Sequence, residues 1–296
     1  MPQPQRRAFR FGVALRAAAS RREWMDKCRK AEDLGYDTIA IIDHLGMPAP
    51  FPALMLAAEV TQRARLGTYV LNANFYNPTL LAREAATTDL FVDGRLELGL
   101  GTGHTKDEFE AAGLAYPTGA ARVDHLERTV SELQRHFSDP TAQPQPSKRP
   151  PLLIGGRGDR VLRLAARSAD IISFSGAATS RHGEGRFPLL GGSAIMDERV
   201  EYARAALGDR ISEVDLNIVA PAVAVTTERH AALDALQYLA PSLSIEERAE
   251  VPGLLVGTAQ QIADKIQHNR ERYGFTYVTV LEHSLEAMAP IIGRLR

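Results

Sequence analysis

The chain of 296 residues is poor in cysteine, lysine, tryptophan and net charge. Cys28 is the only cysteine. An intrachain disulfide is therefore excluded, and a lone cysteine inside a helical pattern is expected to be a small buried residue. Only five of the 35 basic residues are lysines, and none of Lys27, Lys30, Lys106, Lys148 and Lys265 falls in an expected strand. That argues against a lyase working through a lysine Schiff base. A formal charge of -1 and an isoelectric point near 6.7 give no field that would gather nucleic acid or an anionic membrane, so neither partner is expected. No stretch approaches about 18 uninterrupted apolar residues, and the basic start has no apolar run behind it. A cytoplasmic protein without a membrane span or signal peptide is the expectation. The histidines are scattered, with no His-x-His pair ending a strand, so a metal-dependent hydrolase is disfavoured and no metal ligands are assigned.

What is present is a large apolar fraction, 45% against 24% charged residues, enough for a substantial core. Short apolar runs alternate with longer amphipathic segments from end to end, the pattern of repeated βα units. The spacing predicts strands near residues 9–15, 38–42, 66–71, 95–100, 152–155, 171–174, 216–225 and 277–281. Helices are expected near 20–34, 53–60, 79–91, 121–137, 159–168, 194–207, 228–238 and 258–273, the first capped by Ser20. Eight strands suit an α/β fold of the closed (β/α)8 type, with loop insertions at the C-terminal face. An open doubly wound sheet gives similar alternation. It usually carries Gly-x-Gly-x-x-Gly after its first strand, whereas here the first strand runs into Leu15-Arg16-Ala17. Residues 1–8 are expected to form a flexible tail and 9–296 a single barrel domain. Residues 139–151 look like a surface loop, and 176–192 like a lid or substrate loop, with plain disorder left open.

Chemistry in such a barrel is expected where strands end at the C-terminal rim. The most distinctive stretch, Asp93 to His104, is a strand running into a glycine-rich turn, and Gly155-Gly156-Arg157-Gly158 repeats the device before a helix. Glycines let backbone amides approach a phosphate or flat ring, and a helix start presents unpaired amides and a positive dipole end. Gly101, Thr102, Gly103, Gly155, Gly156, Arg157 and Gly158 are thus cofactor candidates. Tight packing at a strand-to-helix corner is the competing explanation for the glycines. Asp43-His44 follows the second strand. An imidazole there titrates near neutrality, which makes His44 the catalytic candidate, while Asp43 is expected as an orienting or capping group and is counted among the cofactor contacts. Asn72, Asn74 and Asn77 end the third strand and are either ligand contacts or turn formers. Glu282 and His283 follow the last strand and could face the same mouth. His104, Lys106 and Glu108 are accounted for as surface residues of a loop, His104 and Glu282 being kept as candidate substrate contacts.

Taken together, several ordered pieces resemble the luciferase-like monooxygenase superfamily and, within it, the coenzyme F420-dependent oxidoreductases. These are Asp43-His44-Leu45, Leu66-Gly67 through Asn72 to Asn77-Pro78, Leu81-Ala82-Arg83-Glu84-Ala85-Ala86-Thr87 with Asp89, and Gly94-Arg95-Leu96 to Gly103. They continue with Glu108-Phe109, Gly113, Leu153-Ile154-Gly155-Gly156-Arg157-Gly158, Ala165-Ala166, Ala169-Asp170, and Gly257-Thr258 with Gln261-Ile262-Ala263. The resemblance implies a TIM barrel holding F420 (8-hydroxy-5-deazaflavin), or in sister families FMN, across its C-terminal mouth. Its phosphate would lie at Gly155 to Gly158, and its ring against Tyr69, Val70, Leu71 and Asn72, where the family carries a non-proline cis peptide. His44 matches a histidine that assists proton transfer in some relatives, while His104 stands where a tryptophan is often found. The implied activity is hydride transfer between the deazaflavin and a small organic substrate. An FMN-dependent monooxygenase needing oxygen and a reductase partner, and a non-catalytic flavin-binding protein, are the alternatives. Relatives are often dimers, so a homodimer is compatible with the chain.

Overall fold

A computed structural model describes residues 7–178 and 189–296. In chain order its strands are β1 (Arg10–Leu15), β2 (Thr38–Ile41), β3 (Arg65–Thr68), β4 (Leu71–Asn72), β5 (Leu96–Gly101), β6 (Leu152–Gly155), β7 (Ile171–Phe174), β8 (Asp215–Ala220), β9 (Ala222–Val225), β10 (Leu254–Gly257) and β11 (Phe275–Leu281). The helices are α1 (Arg21–Asp33), α2 (Pro50–Ala58), α3 (Pro78–Phe91), α4 (Lys106–Ala111), α5 (Gly119–Ser138), α6 (Asp159–Ser168), α7 (Ser193–Leu207), α8 (Arg229–Ala235), α9 (Ile245–Glu250), α10 (Ala259–Tyr273) and α11 (Leu285–Leu295).

The strands pair in the order β3-β2-β1-β11-β8-β7-β6-β5-β4, and β3 also pairs with β5, so the sheet closes on itself. All pairings are parallel, as expected when a helix returns the chain between neighbouring strands. Because β3 and β4 occupy one position, the barrel has the expected eight strands. Local chemistry explains where elements begin. Ser20 accepts from the Glu23 amide at the start of α1, Asn77 accepts from the Thr79 and Leu80 amides before Pro78, and Thr258 with Gln261 forms a capping box for α10. Trp24, Cys28 and Ala31 bury one face of α1, and burial pushes the Cys28 thiol up to about 12, an inert buried group as expected.

The interior is not wholly apolar. Near the N-terminal end, Arg10 reaches Glu97 at 2.5 Å and lies over the Tyr277 ring, whose hydroxyl donates to Glu97 at 2.9 Å. Higher up, the Asn217 amide donates to Thr279 Oγ1 at 2.8 Å while its carbonyl oxygen accepts from Tyr69 and Ser173 at 2.7 Å each. Pairing satisfies these buried polar groups, which would otherwise be costly.

Four details differ from the sequence reading. The expected strand 66–71 is broken after Thr68, with a cis peptide between Tyr69 and Val70. The expected strand 216–225 is two strands divided at Pro221, because proline removes a ladder donor. Its second half, β9, pairs with the unforeseen β10 in a small parallel sheet outside the barrel. Helices α4 and α9, of six residues each, were also unforeseen, as was α11, an eleven-residue apolar helix that Pro290 interrupts. Of the tail expected over 1–8, residues 1–6 lie outside the described residues, and Arg7 is tied to Asp215 at 2.5 Å. Residues 179–188 of the expected lid lie outside them too; the flanking Ala177 and Leu190 form an antiparallel bridge.

Candidate active site

A cavity of about 1270 Å³ opens at the C-terminal ends of the barrel strands, walled by β2 to β8 and by the starts of α5 and α6. Its position follows from the fold, since strand ends and the loops after them face the same mouth. Asp43, His44, Tyr69, Val70, Leu71, Asn72, Gly101, Thr102, Gly103, His104 and the four residues from Gly155 to Gly158 all line it.

The break in the third strand organises the floor. Thr68 Oγ1 donates to the Gly99 carbonyl at 2.8 Å and accepts from the Gly99 amide at 2.9 Å, locking the two strands just below the cis peptide. Beyond it, Val70 packs towards Gly99, Gly101 and Gly155. A Cβ on Gly99 would lie 2.1 Å from the Thr68 carbonyl oxygen, one on Gly101 2.7 Å from Val70 Cγ2, and one on Gly103 2.2 Å from Asn72 Oδ1. Glycine is required at the first turn because the neighbouring strand fills the space, not to let a ligand in. The Tyr69 hydroxyl lies 2.6 Å from Ser173 Oγ, and burial pushes it well above its ordinary range, so it stays a neutral hydrogen-bonding group.

At the second turn the geometry is different. Gly158 is the N-cap of α6, makes no side-chain cap, and a Cβ there would meet nothing within 4 Å. Asp159, the acid in the first turn, is drawn aside to Arg199 at 2.6 Å. Unpaired amides of a ten-residue helix therefore border the cavity, with Arg157 beside them. The start of α5 lies close by: Arg160 reaches the Ala120 carbonyl at 3.5 Å and Asp124 at 2.7 Å, and Arg122 lines the same cavity. Two helix starts with arginines beside them make this pole attractive to an anion.

The opposite pole is built around His44. Its Nδ1 lies 2.8 Å from Glu108 Oε1, and its ring meets His104 edge-on at 5.8 Å between centroids. A carboxylate only accepts, so Nδ1 carries a proton towards Glu108, and Nε2 is the ring nitrogen that this bond leaves over. Asp43 Oδ2 accepts from the Asn72 amide at 3.0 Å, and burial raises its carboxyl above the ordinary value. Asn74 is a clamp, donating to the Thr102 carbonyl at 3.1 Å, and Asn77 is a helix cap.

Glu282 requires a correction, because it does not line the cavity. Its Oε2 accepts from the Arg16 and Ala17 amides at 2.7 and 3.1 Å and its Oε1 pairs with Lys27, so it pins the loop after β1. Glu108, dismissed as a surface residue, is instead the partner of His44. Their separation of 64 positions left no local signal. Ser173, Asn217, Arg122 and Arg199 were missed for the same reason. Among the described residues no group of three or more His, Cys, Asp or Glu could hold a metal ion, and no helix is long and apolar enough to cross a membrane.

The model of the luciferase-like monooxygenase family matches residues 8–277. The chain belongs to the luciferase-like monooxygenase family. An F420-dependent glucose-6-phosphate dehydrogenase of Nakamurella multipartita is 32% identical over 269 residues, 82% of this chain and 75% of that protein. Among solved structures of similar fold, an F420-dependent secondary alcohol dehydrogenase in complex with an F420-acetone adduct superposes with a TM-score of 0.76 at 15% identity, covering 98% of this chain and all of the other. The oxygenating constituent of 3,6-diketocamphane monooxygenase from Pseudomonas putida, in complex with FMN, gives 0.70 at 15% identity over 98% and 96%. Family membership thus accounts for the barrel.

Proposed function

We propose that this chain is an F420-dependent oxidoreductase that exchanges hydride with a small organic substrate. The observation that carries the reading is one cavity with an uncapped helix start at one end and the His44–Glu108 pair at the other. The dehydrogenase from Nakamurella multipartita, 32% identical, supports the choice of cofactor.

The residues present suit a phosphorylated tricyclic cofactor. Gly156, Gly158 and the first amides of α6 would hold its phosphate, with Arg157 and Arg122 adding positive charge, and Tyr69, Val70, Leu71 and Asn72 would face its ring. Bound there, a deazaflavin supplies a two-electron hydride acceptor or donor, and the protein supplies orientation and proton handling. His44 Nε2 would accept the proton of a substrate hydroxyl, or return it in the reverse direction, while Glu108 holds the ring in the tautomer that allows this. Asp43 braces the end of the third strand through the Asn72 amide.

Fluorescence titration of the purified protein with F420 and with FMN tests the reading. Tight F420 binding and weak FMN binding are expected; tight FMN binding with none of F420 would favour the oxygen-using alternative. His44→Ala should spare cofactor binding and reduce turnover by about 10²- to 10⁴-fold. Cofactor binding without hydride exchange with any acceptor would leave the non-catalytic alternative. A homodimer is proposed through α3, which exposes Leu80 and Phe91 about three turns apart on one face. Analytical ultracentrifugation tests it, and a monomer at micromolar concentration rules it out.

A further inference from the structure

Beneath the cavity the barrel interior holds polar side chains that meet across it. Ser173 on β7 pairs in register with Asn217 on β8, and Asn217 with Tyr277 on β11, while Thr279 follows two residues on and so shares a face with Tyr277. Asn217 and Thr279 are fully buried, where an unpaired amide would be costly. Chemistry fixes which way the Asn217 amide points. The Tyr277 carbonyl, 3.2 Å away, only accepts, so Nδ2 faces it and Oδ1 faces the hydroxyls of Tyr69 and Ser173. Both hydroxyls reach that one oxygen, and they also lie 2.6 Å from each other.

Tyr69 comes from the far side of the barrel. Its strand, β3, stands four positions from β8 in either direction round the closed sheet, so its side chain crosses the interior to reach Asn217. Its backbone is held as well, the amide donating to the Ile41 carbonyl at 2.8 Å, and the residues directly after it, Val70 to Asn72, line the cavity floor. Ser173 leads on to the other wall. It pairs in register with Gly155 at the end of β6, and its carbonyl accepts from the Gly156 amide at 3.4 Å. The turn that opens α6 is therefore anchored on the same residue that meets the Tyr69 hydroxyl.

We infer that Tyr69, Ser173 and Asn217 form a strut across the barrel that sets the spacing between the ring floor and the phosphate turn, with Asn217 as a positioning residue for cofactor binding. This rests on the F420 reading above. Asn217 does not line the cavity, so it acts through Tyr69 and Ser173, which do. A ligand held at two points gains from the second only when both match it at once, because the second contact then forms at high effective concentration. A shift in spacing removes that gain and leaves each contact intact. Hydrogen bonds at both ends of the crossing side chain keep the spacing fixed before the ligand arrives, which is what preorganisation requires.

F420 and its deazaflavin nucleoside, which has the ring but no phosphate or tail, test the strut when titrated by fluorescence. The parent is measured first and should bind F420 more tightly than the nucleoside. In Tyr69→Phe, which keeps the ring and removes the hydroxyl, and in Asn217→Leu, the Kd for F420 should rise about tenfold while that for the nucleoside stays within about twofold. The advantage of F420 over the nucleoside therefore shrinks about fivefold or more, whereas a merely structural role would lower Tm and leave that advantage unaltered. Circular dichroism shows that each variant is folded at the titration temperature, and Tyr69→Phe carries the test if Asn217→Leu does not fold. A parent that binds FMN and not F420 ends the cofactor reading alone, and the same comparison is then made with FMN and riboflavin. An unchanged advantage in Tyr69→Phe, or an equal loss for both members of the pair, overturns the strut and leaves the cofactor reading standing. A parent that binds none of these ligands overturns both.

Discussion

The two glycine-rich turns at the mouth of the barrel have similar composition, but the second, where Gly156 is packed against Val161, holds in Gly158 a glycine that no neighbour requires. In the turn after β5, glycine at 99, 101 and 103 answers to neighbours within the protein: the Thr68 carbonyl, the Val70 side chain and the Asn72 amide group. In the turn before α6, Gly158 faces open space, and the helix it begins has no cap of its own. A glycine can mean that the fold has filled the space where a side chain would stand, or that the space is left for something else. The same residue type at the same kind of corner does not distinguish the two.

Substitutions at these positions should separate the roles. The largest effect is expected for Gly99→Ala, whose Cβ would press on a backbone carbonyl that cannot move aside. A loss of about 3 kcal/mol or more follows from overpacking of this kind, which lowers Tm on the order of 6–12 °C in a thermal melt. An unchanged Tm would break the comparison at its first arm.

Gly101→Ala meets a side chain, Val70 Cγ2, and should cost about 1–3 kcal/mol. Because the clash is with Val70 alone, Val70→Ala in the same chain should recover part of that loss, and a double-mutant cycle by urea denaturation would measure the coupling. Additive effects would mean that the glycine serves some other neighbour.

Gly158→Ala is the counterpart at the second turn. Its stability should stay within about 0.5 kcal/mol of the parent, while F420 affinity measured by fluorescence falls about tenfold, or 1.4 kcal/mol. A drop in Tm with unaltered cofactor binding would make both turns structural.

The smallest effect is expected at Asp43, which holds the Asn72 backbone beside the first turn. Burial raises its carboxyl from the ordinary 3.8, so the folded state binds its proton more tightly than the unfolded chain does. Stability from this group is present at low pH and falls as pH rises above about 4, once the unfolded chain has released the proton. Asp43→Asn keeps an oxygen for the Asn72 amide and removes the charge. It should match the parent at pH 3.5 and exceed it by less than about 1 kcal/mol at pH 7, as read by chemical denaturation. A variant less stable than the parent at pH 7 would reverse the sign.

Pattern carried the barrel. All eight of its strand positions lie where alternation places them, one of them broken after Thr68, and the helix starts at Ser20, Asn77 and Thr258 depend on residues within three positions, which a local reading can find. The interruption at Tyr69–Val70 followed from family resemblance and not from the residues themselves. The β9–β10 sheet escaped because its two short strands lie far apart in the chain and pair outside the repeat. His44 was legible from its place after a strand, whereas Glu108 on the six-residue α4 was not.

By itself, then, the order of amino acids determined the repeating βα architecture, the family, and the list of residues brought to the rim, because periodicity and capping act over a few neighbouring positions. Only the tertiary structure decided which of those residues meet. It turned Glu108 towards His44 and Glu282 away from the cavity, gave the first glycine turn to packing and left open space only beside Gly158 of the second. Those outcomes depend on groups distant in sequence sharing one small volume, where available space and the need of each buried charge for a partner allow a single arrangement.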